Sequence, residues 1–489
     1  MAIDNDIYNE VPYLTLPERR SHPYKLATRA RLHGLSPARV ATARILELGC
    51  GDGGNATPIA AMFPDCNVVG VDLAARPLQR AHEWAAATST KNIAFVQASV
   101  ETFSSSIPFD YVIAHGLASW VAPSVREALF RCIYESLHSD GVGFISFNVL
   151  PGSYLRIVMR DACLSRGAGS GPVEDRASRA REMLGLIRDH VQGGDYLPPD
   201  TLRAEAGFLL NLPDWYLMHD LLAEEYHPLS FAQFHRELEA AGLFYVCDTS
   251  LDRSSIGALP EPVQDALEGQ EVDSVAFQSM GDIISQRMFR CAVVARKPPT
   301  RMLRTRECLL GPAASYTSRY DVSEHNSREL IGPGGRTIPS ASSLERAVVA
   351  FLASRWPQWI GADELLDALR SDECLRIGGD VEAFLPEVCA QAMERGVIDL
   401  LLESAPRISS TLVPKPNAWL YARQLASQGA TVTSLRHEWI DLRPEERRVL
   451  VRLDGRTSID EIGRSLQLTT REVQSIVQQI MGYGLLTAG

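Results

Sequence analysis

The chain lacks any apolar run approaching the roughly 20 residues that a membrane-spanning helix requires, which argues against a transmembrane protein. Its first thirty residues include Asp4, Asp6, Glu10 and several prolines. They have neither the basic start nor the apolar stretch of a secretory signal. Metal-ligand spacing is missing too: the nine cysteines, among them Cys50, Cys66, Cys132, Cys163 and Cys247, are scattered without a Cys-x-x-Cys pair or a Cys/His cluster. They read as buried thiols of a reducing compartment, so a cytoplasmic protein without a metal is expected. A basic surplus is also absent. The net charge of -12 works against general affinity for nucleic acid or anionic membrane, and neither is expected as a partner.

What is present is ordinary globular composition, 45% hydrophobic and 22% charged. At 489 residues the chain is long enough for two to four domains. From Arg44 short β-rich runs alternate with helical patterns, which predicts an α/β fold with a parallel sheet. Strands are expected at Arg44–Leu48, Asn67–Val71, Ile93–Gln97, Tyr111–Ala114 and Gly143–Phe147, and helices at Asn55–Met62, Pro77–Ala86 and Ser124–Leu137. The alternation then stops for a long charged helical region. It resumes at Leu243–Asp248 and Arg287–Arg296, as though an antiparallel pair finished the sheet after a helical insertion over the strand ends. The expected organisation is a core with its N-terminal segment over 1–150, a helical insertion over 151–228, completion of the sheet over 229–297, a linker-rich region over 298–343, and winged-helix-like accessory modules over 344–489.

The motif with the most chemistry is "RILELGCGDGGN", Arg44 to Asn55, where a strand ends in alternating Gly49, Gly51 and Gly53. Such a turn removes Cβ atoms where a ligand must approach and presents backbone N–H groups at the sheet edge. The nicotinamide and flavin pattern would be Gly-x-Gly-x-x-Gly. Here the spacing is Gly-x-Gly-x-Gly preceded by Glu47, the pattern of S-adenosylmethionine binding. Asp72 follows 23 residues after Gly49, with Leu73 beside it. A carboxylate at the end of the second strand accepts hydrogen bonds from both ribose hydroxyls.

Further along, the third strand ends at Ser99 and Val100, which suit the edge and face of a purine, or simply a strand-end loop. The fourth runs into "AHGLASWV", where His115 is a base, a cofactor contact or a packing residue, with contact preferred. Cys50, set among the glycines, reads as a small filler, since no His or Asp is placed to activate it. The candidate cofactor residues are therefore Glu47, Gly49, Cys50, Gly51, Asn55, Asp72, Leu73, Ser99, Val100 and His115.

With these residues in hand the chain resembles the class I methyltransferases that carry a methyltransferase regulatory domain, a group that includes rickettsial protein-lysine methyltransferases. The resemblance rests on "YNEVPYLTLPERRSHPYKLATRARLHGL", "ELGCGDGGN", "FDYVIAHGLASWV", "NVLPGSYLR" and "WYLMHDLLAEEYHPLSFAQFHRELEAAGLFYV", in that order. Asn9 stands where the family pattern has Asp, and Gly152–Tyr154 where it has Gly-Trp-His. The resemblance implies a seven-stranded Rossmann-like sheet, S-adenosylmethionine as cofactor, and methyl transfer to a lysine amine of a protein or peptide. A homodimer is a further expectation.

In-line displacement at a sulfonium methyl needs alignment and exclusion of water more than acid–base machinery. Tyr8, Tyr13, Trp120, Asn148 and Tyr154 are the expected alignment residues, because aromatic faces and oxygen acceptors suit a cationic methyl and an incoming amine. The alternative for the three tyrosines is packing at a domain seam. Two other functions compete. One is tailoring of a peptide natural product or small acceptor. The other is a regulator whose C-terminal helix-turn-helix binds DNA, for which Asp441–Gly489 has a poor charge balance, seven basic residues against seven acidic.

Overall fold

The structure, a computed structural model, describes residues 6–193, 198–250, 261–266, 275–324, 326, 328–371 and 381–488. The chain enters through a short helix α1 (Asp6–Glu10) and an extended strap, then α2 (Pro23–Leu32), whose first turn begins with Pro23 after the His22 cap. Next come β1 (Arg44–Leu48), α3 (Ala56–Met62), β2 (Asn67–Asp72), α4 (Ala75–Ala87), β3 (Ile93–Gln97), β4 (Phe109–Ala114), α5 (Pro123–Ser136) and β5 (Leu137–Asn148). The five expected strands are all there. The fifth is longer than expected because it begins directly at the end of α5.

The helical detour comprises α6 (Tyr154–Cys163), α7 (Val173–His190), α8 (Pro199–Leu210) and α9 (Asp214–Tyr216), the last running into a wide π turn over Leu217–Leu221. Then α10 (Phe231–Ala240), β6 (Phe244–Asp248), α11 (Glu261–Ala266), α12 (Val275–Ser285) and β7 (Phe289–Ala295) complete the sheet. Its order is β3-β2-β1-β4-β5-β7-β6. β1 to β5 pair in parallel, and β7 runs antiparallel to both β5 and β6. The order reverses between β1 and β4, and a ligand of an open α/β sheet binds at that crevice, beyond the carboxyl ends of the strands.

Both faces of the sheet are covered, so its strands are apolar on each side. Ile45, Val68, Tyr111, Ile113, Phe144 and Val293 face α2 and α3. Their strand neighbours Leu46, Val112, Ile145 and Phe147 face α5 and α10. One register along β1 thus decides which side chains reach the core.

The span 298–343 corrects the expectation of a linker. It carries α13 (Arg306–Leu309), β8 (Ser315–Thr317), β9 (Asp321–Val322), β10 (Glu329–Ile331) and β11 (Thr337–Pro339). The glycines of "GPGGR" turn β10 back onto β11, and the polar residues are the exposed sides of short antiparallel strands. β8 joins β12 (Ile360–Gly361) and β13 (Asp399–Leu401), with α14 (Ser343–Ser354), α15 (Ala362–Ser371) and α16 (Val381–Glu394) packed in the same apolar cluster. A last unit holds α17 (Leu420–Gln428), the hairpin β14 (Thr431–Thr433) and β15 (Trp439–Asp441), then α18 (Pro444–Leu450), α19 (Ile459–Leu466) and α20 (Thr470–Gly482). Capping boxes at Ser458/Glu461 and Thr469/Glu472 start its last two helices.

Candidate active site

At the crevice the glycine turn has left-handed backbone at Gly49, Gly51 and Gly53. A Cβ on Gly51 would meet the Thr15 hydroxyl at 2.8 Å, and one on Gly54 would fall 1.9 Å from the Thr15 carbonyl oxygen. The bare turn therefore serves first to let the N-terminal strap lie on it. Its amides are occupied internally: Gly49 and Cys50 donate to the Val71 carbonyl, and Gly51 donates to Asp72 Oδ2 at 2.8 Å. This differs from the expected row of free N–H donors, because the strand-end carboxylate and carbonyl reach them first.

Asp72 takes a second amide, from Ala74, on Oδ1 at 2.9 Å. A carboxylate has about four lone-pair sites; the Gly51, Ala74 and Leu73 amides aim this one, and acceptor capacity remains for a ligand. That arrangement fits a sugar hydroxyl. Burial raises its pKa and the backbone hydrogen bonds oppose the rise. Beside it a cavity of about 460 Å³ opens, with Gly49, Gly51, Leu73, Ser99, Val100 and His115 on its cofactor side. A larger cleft of about 840 Å³, between the strap and the C-terminal units, is lined by mutually paired charges such as Arg319 and Glu438 and has no part of the glycine turn.

His115 touches the cavity but is held from behind. Ser146 Oγ accepts the Gly116 N–H at 2.8 Å and lies 3.0 Å from His115 Nδ1. The geometry is satisfied when Ser146 gives its hydrogen to Nδ1, which leaves the ring proton on Nε2, toward Glu18. Burial lowers the pKa of His115, the neutral form. It is a wall of the cavity.

Tyr8, Tyr13, Trp120 and Asn148 line the same cavity. Tyr8 packs on His219 with ring centres 4.6 Å apart, and Tyr13 sets its edge against Trp215 and His219. The strap that carries them is fastened by His219 to the Val11 carbonyl at 2.9 Å, by the Thr15–Asp52 hydrogen bond, and by Glu18 N–H to Asn55. Asn9 adds a fourth tie, through Arg76 at the start of α4. Trp120 lies against Tyr226, centres 4.8 Å apart.

Four of the expected residues lie elsewhere. Tyr154 opens α6, is 57% exposed and does not line the cavity, since the first turn of that helix points it outward. Cys50, Glu47 and Asn55 are buried beneath the turn. Burial lifts the Cys50 thiol well above its usual range, which suits a filler and not a nucleophile. Glu47, 3% exposed, accepts Asn55 Nδ2 at 2.7 Å; Asn55 Oδ1 in turn receives His437 Nε2 at 2.7 Å from the C-terminal unit. Burial pushes Glu47 up to about 8. A carboxyl with a raised folded pKa stabilises the fold least above that value, so its penalty grows as pH rises from about 4.5 to about 8. We expect Glu47→Gln to flatten the loss of thermal stability across pH 5–8 relative to the wild type, by up to roughly 1.4 kcal/mol per pH unit. Scanning calorimetry of both proteins at several pH values checks this.

Residues that were given no role in the sequence also line the cavity: Thr15, Leu117, Arg156, Tyr216, Asp220, Met288 and Phe289. Tyr216, His219 and Asp220 have the i, i+3, i+4 spacing of one helix face, a sequence signal that could have grouped them within the quoted stretch that begins at Trp215. Arg156 is tied to Glu205 at 2.8 Å and to the Tyr216 hydroxyl at 3.3 Å.

The strand order, the glycine turn and its aimed carboxylate are those of a class I, S-adenosylmethionine-dependent methyltransferase domain. Residues 45–141 match the methyltransferase domain family and residues 213–296 the predicted methyltransferase regulatory domain, so this chain joins the two. It is 34% identical over 292 residues to an uncharacterised Rickettsia prowazekii protein, covering 60% of this chain and 53% of that one. It is also 34% identical over 110 residues to a tRNA (guanine-N(7)-)-methyltransferase of Chloroflexus aggregans, 22% of this chain and 48% of that one. The matches span about half the length of both these curated relatives. Among solved structures, PKMT2 from Rickettsia typhi shares the fold over 97% of this chain and 100% of its own, with a TM-score of 0.83 and 22% identity. PKMT2 has also been solved in complex with AdoHcy, and that structure matches with the same score and identity over 98% of this chain. No described helix is long and apolar enough to cross a membrane.

Proposed function

We propose that the protein N-methylates lysine side chains of a protein or peptide. The observation that carries this reading is the chemistry of the cavity lining beyond Asp72. Tyr8, Tyr13, Trp120 and Tyr216 line the cavity together with the carboxylate of Asp220, while Arg156 in the same lining is already paired with Glu205. Such a wall attracts a cation and a cationic methyl group.

S-adenosylmethionine supplies an activated methyl: a new N–C bond forms as the methyl–sulfur bond breaks, and sulfur keeps the electron pair. The chain's own residues do the rest. Asp72 holds the sugar, Leu73 and Val100 flank the base, and the strap from Tyr8 to Glu18 closes over the turn and excludes water. A lysine amine of pKa about 10.4 is almost wholly protonated at neutral pH. Its entry into a desolvated site beside a sulfonium favours the neutral, nucleophilic form. The similarity to PKMT2 in fold and extent supports a polypeptide acceptor, as does the net charge of -12, which disfavours nucleic acid. Eight described cysteines without a disulfide support residence in the cytoplasm.

The expected result, with methyl-labelled S-adenosylmethionine and poly-L-lysine or a lysine-rich unfolded protein, is label recovered as methyl-lysine after acid hydrolysis. Label found only in small hydroxyl or amine acceptors would replace this reading with tailoring of a small molecule.

A further inference from the structure

Two oxygen acceptors on the cavity wall have no hydrogen-bond partner among the described residues, although both are shielded from water: Oδ2 of Asp220 and Oδ1 of Asn148. Unpartnered buried acceptors are costly and rare, so each calls for a donor supplied from outside the chain. Asn148 is held rigidly for such a task. It ends β5, its N–H donates to Ser119 Oγ at 2.9 Å, and its carbonyl receives the Leu229 N–H at 2.9 Å. Its side-chain amide is left over, with the oxygen buried.

Asp220 is enclosed by groups that cannot neutralise it. Tyr8 comes from α1, Tyr13 from the strap, Tyr216 from α9 and Tyr226 from the segment before α10, and the charge of Asp220 raises the pKa of each. Burial is the larger cause in all four, and it pushes Tyr8 to about 12. The facing cation is Arg156 of α6, which Glu205 of α8 already holds. The pocket thus carries a carboxylate that Arg156 offsets only in part, with a neutral amide oxygen and several aromatic residues lining the same cavity.

Resting on the lysine reading above, we propose that Asp220 and Asn148 form the acceptor-amine subsite, in which both oxygens receive N–H hydrogens of the incoming ammonium and Asp220 takes the proton that it must lose. The step balances. The ammonium and the Asp220 carboxylate become a neutral amine and a carboxylic acid; the amine then carries its lone pair to the methyl carbon, and the proton on Asp220 leaves to solvent with the product. Burial holds Asp220 at about 7, far nearer to an amine than an ordinary carboxyl is. Three acidic or amide side chains are then divided by task along one cavity, Asp72 for the sugar and Asp220 with Asn148 for the amine.

The test uses the full-length wild type, Asp220→Asn and Asn148→Ala. With poly-L-lysine as acceptor, Asp220→Asn should lower kcat/KM about 100-fold, the usual range for losing a general base. Its affinity for S-adenosylhomocysteine should stay within about threefold of the wild type, whereas Asn148→Ala should act mainly on KM. A readout without turnover uses the protein loaded with S-adenosylhomocysteine. There n-butylammonium should raise the melting temperature of the wild type and have no such effect on Asp220→Asn. A parallel collapse of S-adenosylhomocysteine affinity in Asp220→Asn would overturn the proposal, since Asp220 would then serve the donor's own amino group. Wild-type kinetics in both variants would overturn it as well. Should the wild type never label lysine, the lysine reading fails on its own. The amine subsite is then upheld by n-butylammonium stabilisation that Asp220→Asn abolishes, and overturned if both proteins respond alike.

Discussion

Replacing Asp72 with alanine is expected to weaken binding of S-adenosylhomocysteine about 100-fold, read by isothermal titration calorimetry. The reason is geometric. The backbone amides of Gly51, Ala74 and Leu73 fix the carboxylate at the crevice, where it lines the cavity with acceptor capacity left for the ligand. Hydrogen bonds to a charged acceptor contribute about 1.5–3 kcal/mol each, and a loss near 3 kcal/mol is about two powers of ten in affinity. Alanine also strands the Gly51 amide beneath the turn. Asp72→Asn keeps one acceptor in place and should fall between the two. A loss below threefold in Asp72→Ala would mean that the sugar is held elsewhere.

The second large effect is on folding and comes from the far side of the same sheet. Arg290, with a fully buried side chain, bonds both oxygens of Asp282 at 3.0–3.1 Å, the carbonyl and side chain of Gln278 at 3.1 and 2.9 Å, and Asp248. Arg287 reaches Asp248 as well, at 3.1 Å. Two arginines and two aspartates therefore neutralise each other inside the protein, pinning α12 to β6 and β7. Arg290→Ala leaves both carboxylates short of a partner, and a broken buried pair typically costs about 3–5 kcal/mol. We expect a fall of that size in urea-unfolding free energy, with weaker cofactor binding as a consequence, because Met288 and Phe289 precede Arg290 and line the cavity. An effect under 1 kcal/mol would show that the cluster contributes little.

This cluster also shows what the region matched as regulatory does in this fold. Residues 213–296 supply β6 and β7 of the sheet and, through Tyr216, His219 and Asp220, one wall of the cavity. The segment thus lines the same cavity as the glycine turn.

Much of the cofactor half was legible in the sequence because its signals are local. The glycine turn and Asp72 lie within a single strand–helix–strand unit, where spacing alone places the carboxylate next to the turn. The seven strands were legible for the same reason, as apolar runs bounded by turns. The limits are equally physical. Glu47 and Asn55 sit beside the turn in sequence, but strand alternation and the entry into α3 point them inward, where they join His437 from almost 400 residues away. Tyr154 fell outside the cavity because one step along a helix rotates a side chain by about 100°. Asp220 and Arg156 come from a long helical detour whose path over the strand ends no local pattern encodes. The short strands of 298–343 were read as linker because two- and three-residue strands rich in polar residues carry almost no periodicity.

The most direct test of the whole account is a crystal structure of the protein with S-adenosylhomocysteine. The account predicts the ribose hydroxyls on Asp72, the base between Leu73 and Val100, and the sulfur turned toward the wall of Tyr8, Asn148 and Asp220. Density for the ligand anywhere else, or a cavity closed by the protein's own side chains at saturating ligand, would contradict it.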